Sequence, residues 1–174
     1  MSTSKKIRQL SLRRVRELLS YDPSSGELRW RVDRFSGRNK VQAAAGSVAG
    51  HRHVDGYIRV KIDKVVYHAQ HIIWLLQTGR YPSREIDHRD GDTYNNRWKN
   101  FRLATTQENG RNRGVHKSNT SGAKGVDRHK GKWRSRIIVN YRQIHLGSFY
   151  NFEDAVKVRL NAEQLYFGEF SRAT

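Results

Sequence analysis

The chain has 174 residues, enough for one domain or two small ones, and carries 34 Lys and Arg against 16 Asp and Glu, a net charge of +18 at pH 7. Such an imbalance costs self-repulsion in the compact state and is kept where an anionic partner neutralises it; nucleic acid comes first, with an RNA-coating chain and a polybasic membrane-surface protein as alternatives. There is no cysteine, which excludes disulfides and thiolate zinc sites, and neither a signal-peptide run nor the roughly 20 apolar residues of a membrane span, so a cytoplasmic, soluble protein is expected.

Ser11 is placed to cap a short helix in which Leu12, Val15, Leu18 and Leu19 recur at helical spacing, with Arg13, Arg14 and Arg16 turned outward to phosphate or to solvent. Asp22-Pro23-Ser24-Ser25-Gly26 is turn chemistry, and a strand is expected to leave it over Glu27 to Val32. Phe35 to His53 shows no period and is expected to be loop. Tyr57 to Ile62 alternates, with Ile58, Val60 and Ile62 on one side and Arg59 and Lys61 on the other, and Val65-Val66-Tyr67 returns as the second strand of a hairpin. Ala69 to Leu76 fits a short helix ended by Gly79, and Tyr81-Pro82-Ser83 leads into a strand carrying Asp87 and His88. After Asp90-Gly91-Asp92, a helix is expected from near Thr105 that includes Asn109.

Gly110 to Gly122, rich in Ser, Asn, Arg and Lys, is a candidate linker. Beyond it Lys124 to Ile138 and Gln143 to Phe149 are expected as short strands, turning at Lys130-Gly131 and Asn140-Tyr141. Asn151 then caps a helix with Glu153 and Asp154 in its first turn and Gly168 at its end, and Ala155, Val158, Ala162, Leu165 and Tyr166 form its apolar stripe. Residues 111–142 hold ten Lys or Arg and one acid, Asp127, whereas residues 143–174 hold three and four, so the basic surface is expected on the strands.

The chemistry concentrates between Asp87 and Asn109. A carboxylate and an imidazole are adjacent at Asp87 and His88, Asn100 follows thirteen residues after Asp87, and Asn109 nine after that, enough for strand and helix to fold around one ion. With Asp90-Gly91-Asp92, Asn95-Asn96, Asn100-Phe101-Arg102 and Glu108-Asn109, and with Leu18 to Trp30, Asp55-Gly56-Tyr57 and His71-Ile72-Ile73-Trp74 upstream, residues 10 to 112 resemble the HNH endonucleases, specifically the phage and intron-encoded homing group. The resemblance implies a ββα-metal fold gripping one divalent cation, Mg2+ or Mn2+. It implies that Asp87 and Asn109 are the metal ligands, hard oxygen donors suited to such an ion. It makes His88 the general base, a role suited to the histidine pKa near 6.5. It also puts Asn100 in the catalytic set as the residue that ties the loop and holds the His88 backbone. Ile72 stands where the family usually has arginine, and Phe101 where it has leucine. His71 is read as structural, and Asp90 and Asp92 as turn residues or auxiliary ligands.

Residues 121 to 170 resemble the APETALA-type, ethylene-response-factor (ERF) DNA-binding domain through Gly122, Lys124-Gly125-Val126, Lys132-Trp133-Arg134, Ile137, His145-Leu146-Gly147-Ser148-Phe149, Glu153-Asp154-Ala155 and Gly168-Glu169-Phe170. That family lays a three-stranded sheet, backed by a helix, in the major groove, where arginine reads guanine. Arg111, Arg113, Lys124, Arg128, Lys132, Arg134 and Arg136 are the implied DNA contacts. Trp133 is a contact or a core residue, and Asp127 stands where the plant domains carry a basic residue.

The expectation is therefore an α+β chain with an HNH ββα-metal nuclease domain over residues 1–110, a basic linker over 111–121, and over 122–174 a three-stranded antiparallel sheet packed on one helix. It would act as a monomer on double-stranded DNA, with no obligate protein partner and no membrane, leaving 5′ phosphate and 3′ hydroxyl ends. A DNA-binding regulator with a degenerate nuclease domain is the alternative.

Overall fold

Ser11, itself in an extended conformation, immediately precedes the first helix of the computed structural model, which describes residues 9–36, 40–112, 114–116 and 118–171. The chain mixes helix and sheet in two units, Met1–His88 with Asp92–Leu103, and Arg89–Gly91 with Ala104–Thr174.

In the first unit, helix α1 (Leu12–Leu18) is capped by the Ser11 side chain, which accepts from the Arg14 amide at 3.1 Å, and it buries Val15 and Leu18. No glycine ends it. Leu19 turns to extended backbone, and the chain runs straight into β1 (Leu19–Tyr21), which pairs antiparallel with β2 (Leu28–Trp30). Between them Asp22 accepts from the amide and hydroxyl of Ser24 at 2.9 and 2.8 Å, the Asx turn that Asp-Pro-Ser-Ser-Gly favours.

The segment from Phe35 to His53, expected as loop, contains short strands. β3 (Arg34–Ser36) pairs with β4 (Lys40–Ala43), and β5 (His51–Arg52) adds to the hairpin of β6 (Ile58–Ile62) and β7 (Val65–His68) in the order β5-β6-β7. The reason the pattern hides them is that Phe35 and Val41 are exposed. Pairing here rests on backbone hydrogen bonds rather than on a buried face, so no alternation is written into the residues. Helix α2 (Ala69–Thr78) follows without a break, buries Ala69, Gln70, Ile72, Ile73 and Leu75, and ends at Gly79. β8 (Glu85–His88) and β9 (Phe101–Ala104) form a two-stranded sheet. Val15, Leu19, Val60, Ile62, Ile72 and Ile73 lie at the centre of the core, which Ile86 of β8 and Phe101 of β9 join.

The stretch between β8 and β9 is held from the β1–β2 turn. The Tyr21 hydroxyl donates to the Asn96 carbonyl at 2.7 Å, Arg97 Nε to the Ser24 carbonyl at 2.8 Å, and the Trp98 amide to the Pro23 carbonyl at 3.2 Å. Burial pushes the Tyr21 phenol up to about 12, so it remains a donor throughout the physiological range.

In the second unit, α3 (Thr106–Arg111) begins with a reciprocal cap: the Glu108 amide donates to Thr105 Oγ1 at 3.2 Å and the Thr105 amide to Glu108 Oε2 at 2.7 Å. β10 (Val126–His129), β11 (Lys132–Val139) and β12 (Arg142–Phe149) form an antiparallel sheet in that order, and α4 (Phe152–Phe167) packs against it. The buried face of α4 corrects the expected stripe. Ala155 and Ala162 are buried as expected, but Leu165 and Tyr166 are exposed, and Arg159, Glu163 and Phe167 take the interior positions. Residues 155, 159, 162, 163 and 167 share one helical face; the two charged members are tolerated there because Arg159 Nη2 pairs with Glu163 Oε1 at 2.9 Å.

Gly26 is where the first turn touches the site loop. Its φ is +82°, and a Cβ would stand 2.6 Å from the Arg97 nitrogen and 2.7 Å from the Asn96 carbonyl carbon. Gly46, with φ of +81°, faces nothing within 4 Å. Gly46→Ala should therefore cost only the backbone term of about 1–2 kcal/mol, and Gly26→Ala clearly more; equal losses by chemical denaturation would refute the close approach.

Candidate active site

Because side chains alternate along a strand, β8 sends Asp87 and His88 to opposite sides. Both are almost fully buried, at 4% and 3% relative exposure. Asp87 meets Arg102 of β9, whose Nε and Nη2 lie 2.7 and 2.6 Å from its Oδ2. His88 Nε2 lies 3.2 Å from Asn96 Oδ1, and its ring is edge-on to Phe101 at 5.1 Å and tilted to Tyr57 at 6.3 Å. The imidazole is held by the Asn96 contact and by rings on β9 and at the start of the β6 hairpin.

The loop that supplies Asn96 is built by short-range polar contacts. Asp92 Oδ1 accepts from the Tyr94 amide at 2.9 Å, which makes Asp92 a turn residue. Thr93 Oγ1 donates to the Gly56 carbonyl, and the Tyr94 hydroxyl to the His53 carbonyl at 3.3 Å. Asn100 Nδ2 donates to the Asn95 carbonyl at 2.8 Å and so closes the loop across five residues. His71 is half-buried, its ring tilted against that of His68 at 5.7 Å, and His68 in turn meets Tyr57 edge-on at 5.1 Å. Burial pushes the pKa of both histidines below the ordinary value, so both are neutral at pH 7. Asn109 lies on α3, in the second unit.

The divalent ion implied by the resemblance would draw on Asp87 and Asn109. Among the described residues no group of three or more His, Cys, Asp or Glu is arranged to hold a metal. A carboxylate oxygen, as on Asp87, and an amide oxygen, as on Asn109, are each hard donors of the kind Mg2+ and Mn2+ take. The Asp87 carboxylate is oriented by Arg102, and by type it is a donor such an ion accepts.

The implied DNA contacts separate into four groups. Asp127, Arg134 and Arg136 form one cluster, with Arg134 at 3.1 and 2.6 Å from the two Asp127 oxygens and Arg136 Nη2 at 3.5 Å from Oδ2. The Arg134 hydrogen bond holds the Asp127 carboxyl below the usual carboxylate range. Arg128 and Trp133 face each other across β10 and β11, in phase with the buried Val126 and Ser135, hence on the helix side of the sheet. The Trp133 ring is edge-on to Phe152 of α4 at 4.8 Å, and the Arg128 guanidinium lies 5.1 Å over it. Lys132 stands over Tyr150 at 4.5 Å. Arg111 covers the Phe167 ring at 4.6 Å, and Lys124 Nζ donates to the Arg111 carbonyl at 2.6 Å. Arg113 lies outside the described residues, as do the first eight. Among the described residues no helix is long and apolar enough to cross a membrane.

Two residues of the site carry roles that sequence reasoning missed, Asn96 and Arg102. Arg102 did leave a signal, because a charge inside the apolar run Phe101-Arg102-Leu103-Ala104 is tolerated only opposite a buried counter-charge, and Ile86-Asp87 offers one. Asn96 left none, since its contact with His88 depends on the path of the loop. Arg102→Leu takes the guanidinium from a buried carboxylate and should cost about 3–5 kcal/mol, with most of it recovered by adding Asp87→Leu. A double-mutant cycle showing additivity would refute the coupling.

Residues 67–111, from β7 through α3, match the HNH endonuclease family. The chain is 34% identical over 103 residues to Protein 3.8 of Escherichia phage T7, covering 58% of this chain and 84% of that protein. No solved structure matches it. The chain belongs to the family of phage T7 Protein 3.8, and its residues 67–111 carry an HNH endonuclease domain.

Proposed function

We propose that the chain is a metal-dependent DNA endonuclease of the homing type, with a nuclease module over residues 1–110 and a DNA-binding module of ERF type from residue 122. The observation that carries this is the adjacent Asp87 and His88 at the end of β8, each fixed by its own partner, Arg102 and Asn96, inside the HNH-matching stretch of a chain of charge +18. With Asn96 Oδ1 as acceptor, His88 Nε2 carries the ring proton and Nδ1 the basic lone pair. Nδ1 takes a proton from the attacking water, and the Asn96 contact stabilises the imidazolium that results. Asp87, oriented by Arg102, and Asn109 would hold the ion. A bound Mg2+ or Mn2+ supplies a Lewis acid that offsets charge on the phosphoryl and leaving 3′ oxygens. Asn100, by closing the loop at Asn95, keeps Asn96 on His88. Phosphate contacts come from the basic strands of the second unit, with Arg134 and Arg136 moderated by Asp127.

The burial of both residues and the grip of Arg102 on Asp87 favour one second reading, a DNA-binding protein that does not cut. Plasmid and long linear DNA incubated with the chain in Mg2+ or Mn2+ separate the two. Cleavage should occur and should fall by about 100-fold or more in His88→Ala, with DNA affinity unchanged by gel shift. Intact DNA with the wild-type chain under both metals would sink the enzyme reading. Asn96→Ala should lower kcat about 10–100-fold with KM unchanged, and wild-type turnover in that variant would remove Asn96 from the mechanism.

A further inference from the structure

A cavity of about 540 Å3 lies within the second unit, and its described lining holds four cationic side chains, Arg111, Lys124, Arg136 and Arg159, and no carboxylate. Three of the cations are engaged. Lys124 donates to the Arg111 carbonyl, Arg136 reaches Asp127 and Gln143, and Arg111 covers the Phe167 ring. Arg159 differs. It is 5% exposed and spends Nη2 on Glu163, while Nε and Nη1 have no hydrogen-bond partner among the described residues. Its surroundings are shaped to keep it there, since a Cβ on Gly125 would come within 2.5 Å of Arg159 Nε and 2.4 Å of the Arg136 carbonyl.

Buried guanidinium N–H groups without acceptors are uncommon in native interiors, and an anion that enters the cavity supplies what they lack. Inorganic phosphate alone would leave much of the volume empty. The cavity has the size of a small-ligand site, and the Phe167 and Tyr141 rings on its wall offer surfaces for a sugar or a base.

We propose that this cavity is a second nucleic-acid subsite, in which the Arg159 guanidinium donates to a phosphate group of a DNA strand while Lys124 and Arg136 add charge. It adjoins the Asp127–Arg134 cluster through which the sheet would read a duplex, with Arg136 common to both. The phosphate chemistry stands by itself, and only its source, a DNA strand, rests on the proposed endonuclease function. A phosphate within the strand and a 5′-terminal phosphate, the end the proposed cleavage leaves, present the same oxygens to Arg159.

The test follows the arginine Nε–H signals of the full-length 15N-labelled chain, with Arg159 assigned through bonds, on titration with inorganic phosphate and with short single-stranded DNA bearing or lacking a 5′ phosphate. The Arg159 signal should shift saturably with phosphate and with DNA. A preference of about tenfold for the 5′-phosphorylated strand identifies the terminal group, and equal affinities identify an internal one. Arginine signals elsewhere that move with DNA while Arg159 stays still would overturn the subsite and leave the DNA reading intact. An Arg159 shift with phosphate and no response of any arginine to DNA would overturn the strand assignment instead. Arg159→Lys, which retains the charge and the Glu163 pairing, should weaken strand binding about fivefold or more, and unchanged affinity in a folded variant would also count against the proposal.

Discussion

Charge must be matched before it can be buried, and the two units of this chain both depend on that constraint. Each encloses an arginine with a carboxylate, Arg102 with Asp87 in the first and Arg159 with Glu163 in the second. A protein with 34 basic and 16 acidic side chains has few carboxylates to spare, and two of them are committed to interior arginines. Such pairs add little net stability over well-packed apolar residues but penalise any arrangement that parts them, so they favour one alignment of neighbouring elements. In the first unit that alignment is the β8–β9 ribbon that presents His88. In the second it is the seating of α4 on the sheet.

The site loop shows how local turn chemistry fixes the surroundings of His88. The β1–β2 turn is a sequence of ordinary turn formers, yet its carbonyls at Pro23 and Ser24 and the hydroxyl of Tyr21 anchor the Asn96 to Trp98 backbone. Helix α1 and its strand thus take part in fixing a histidine more than sixty residues away, and the core beneath them is a supporting element of the site.

Where a buried face writes a period into the residues, the fold was legible from sequence. The β6–β7 hairpin, α2 with Gly79 at its end, the start of α3 at Thr105 and the turns at Lys130-Gly131 and Asn140-Tyr141 all follow from alternation, helical spacing or turn chemistry. Reading failed where that link is cut. β3 and β4 bury little and left no pattern, and the interior stripe of α4 differs from the apolar one because a paired arginine and glutamate hold interior positions that no apolar period marks. Around the candidate site, residue type and spacing single out Asp87, His88 and Asn100, whereas the Asn96 contact with His88 comes from loop closure and has no local signature.

The chain crosses between its two units three times, after His88, after Gly91 and after Leu103. A unit assembled from discontinuous segments cannot be released by a single cut or exchanged by a single splice. A fragment ending at Leu103 would carry Asp87 and His88 but forfeit α3, and one starting at Ala104 would lack the Arg89–Gly91 segment that groups with it. Recombination at a single junction at the Leu103 boundary therefore exchanges neither unit whole. Exchange of an intact segment is open only beyond α3, where the chain no longer returns to the first unit.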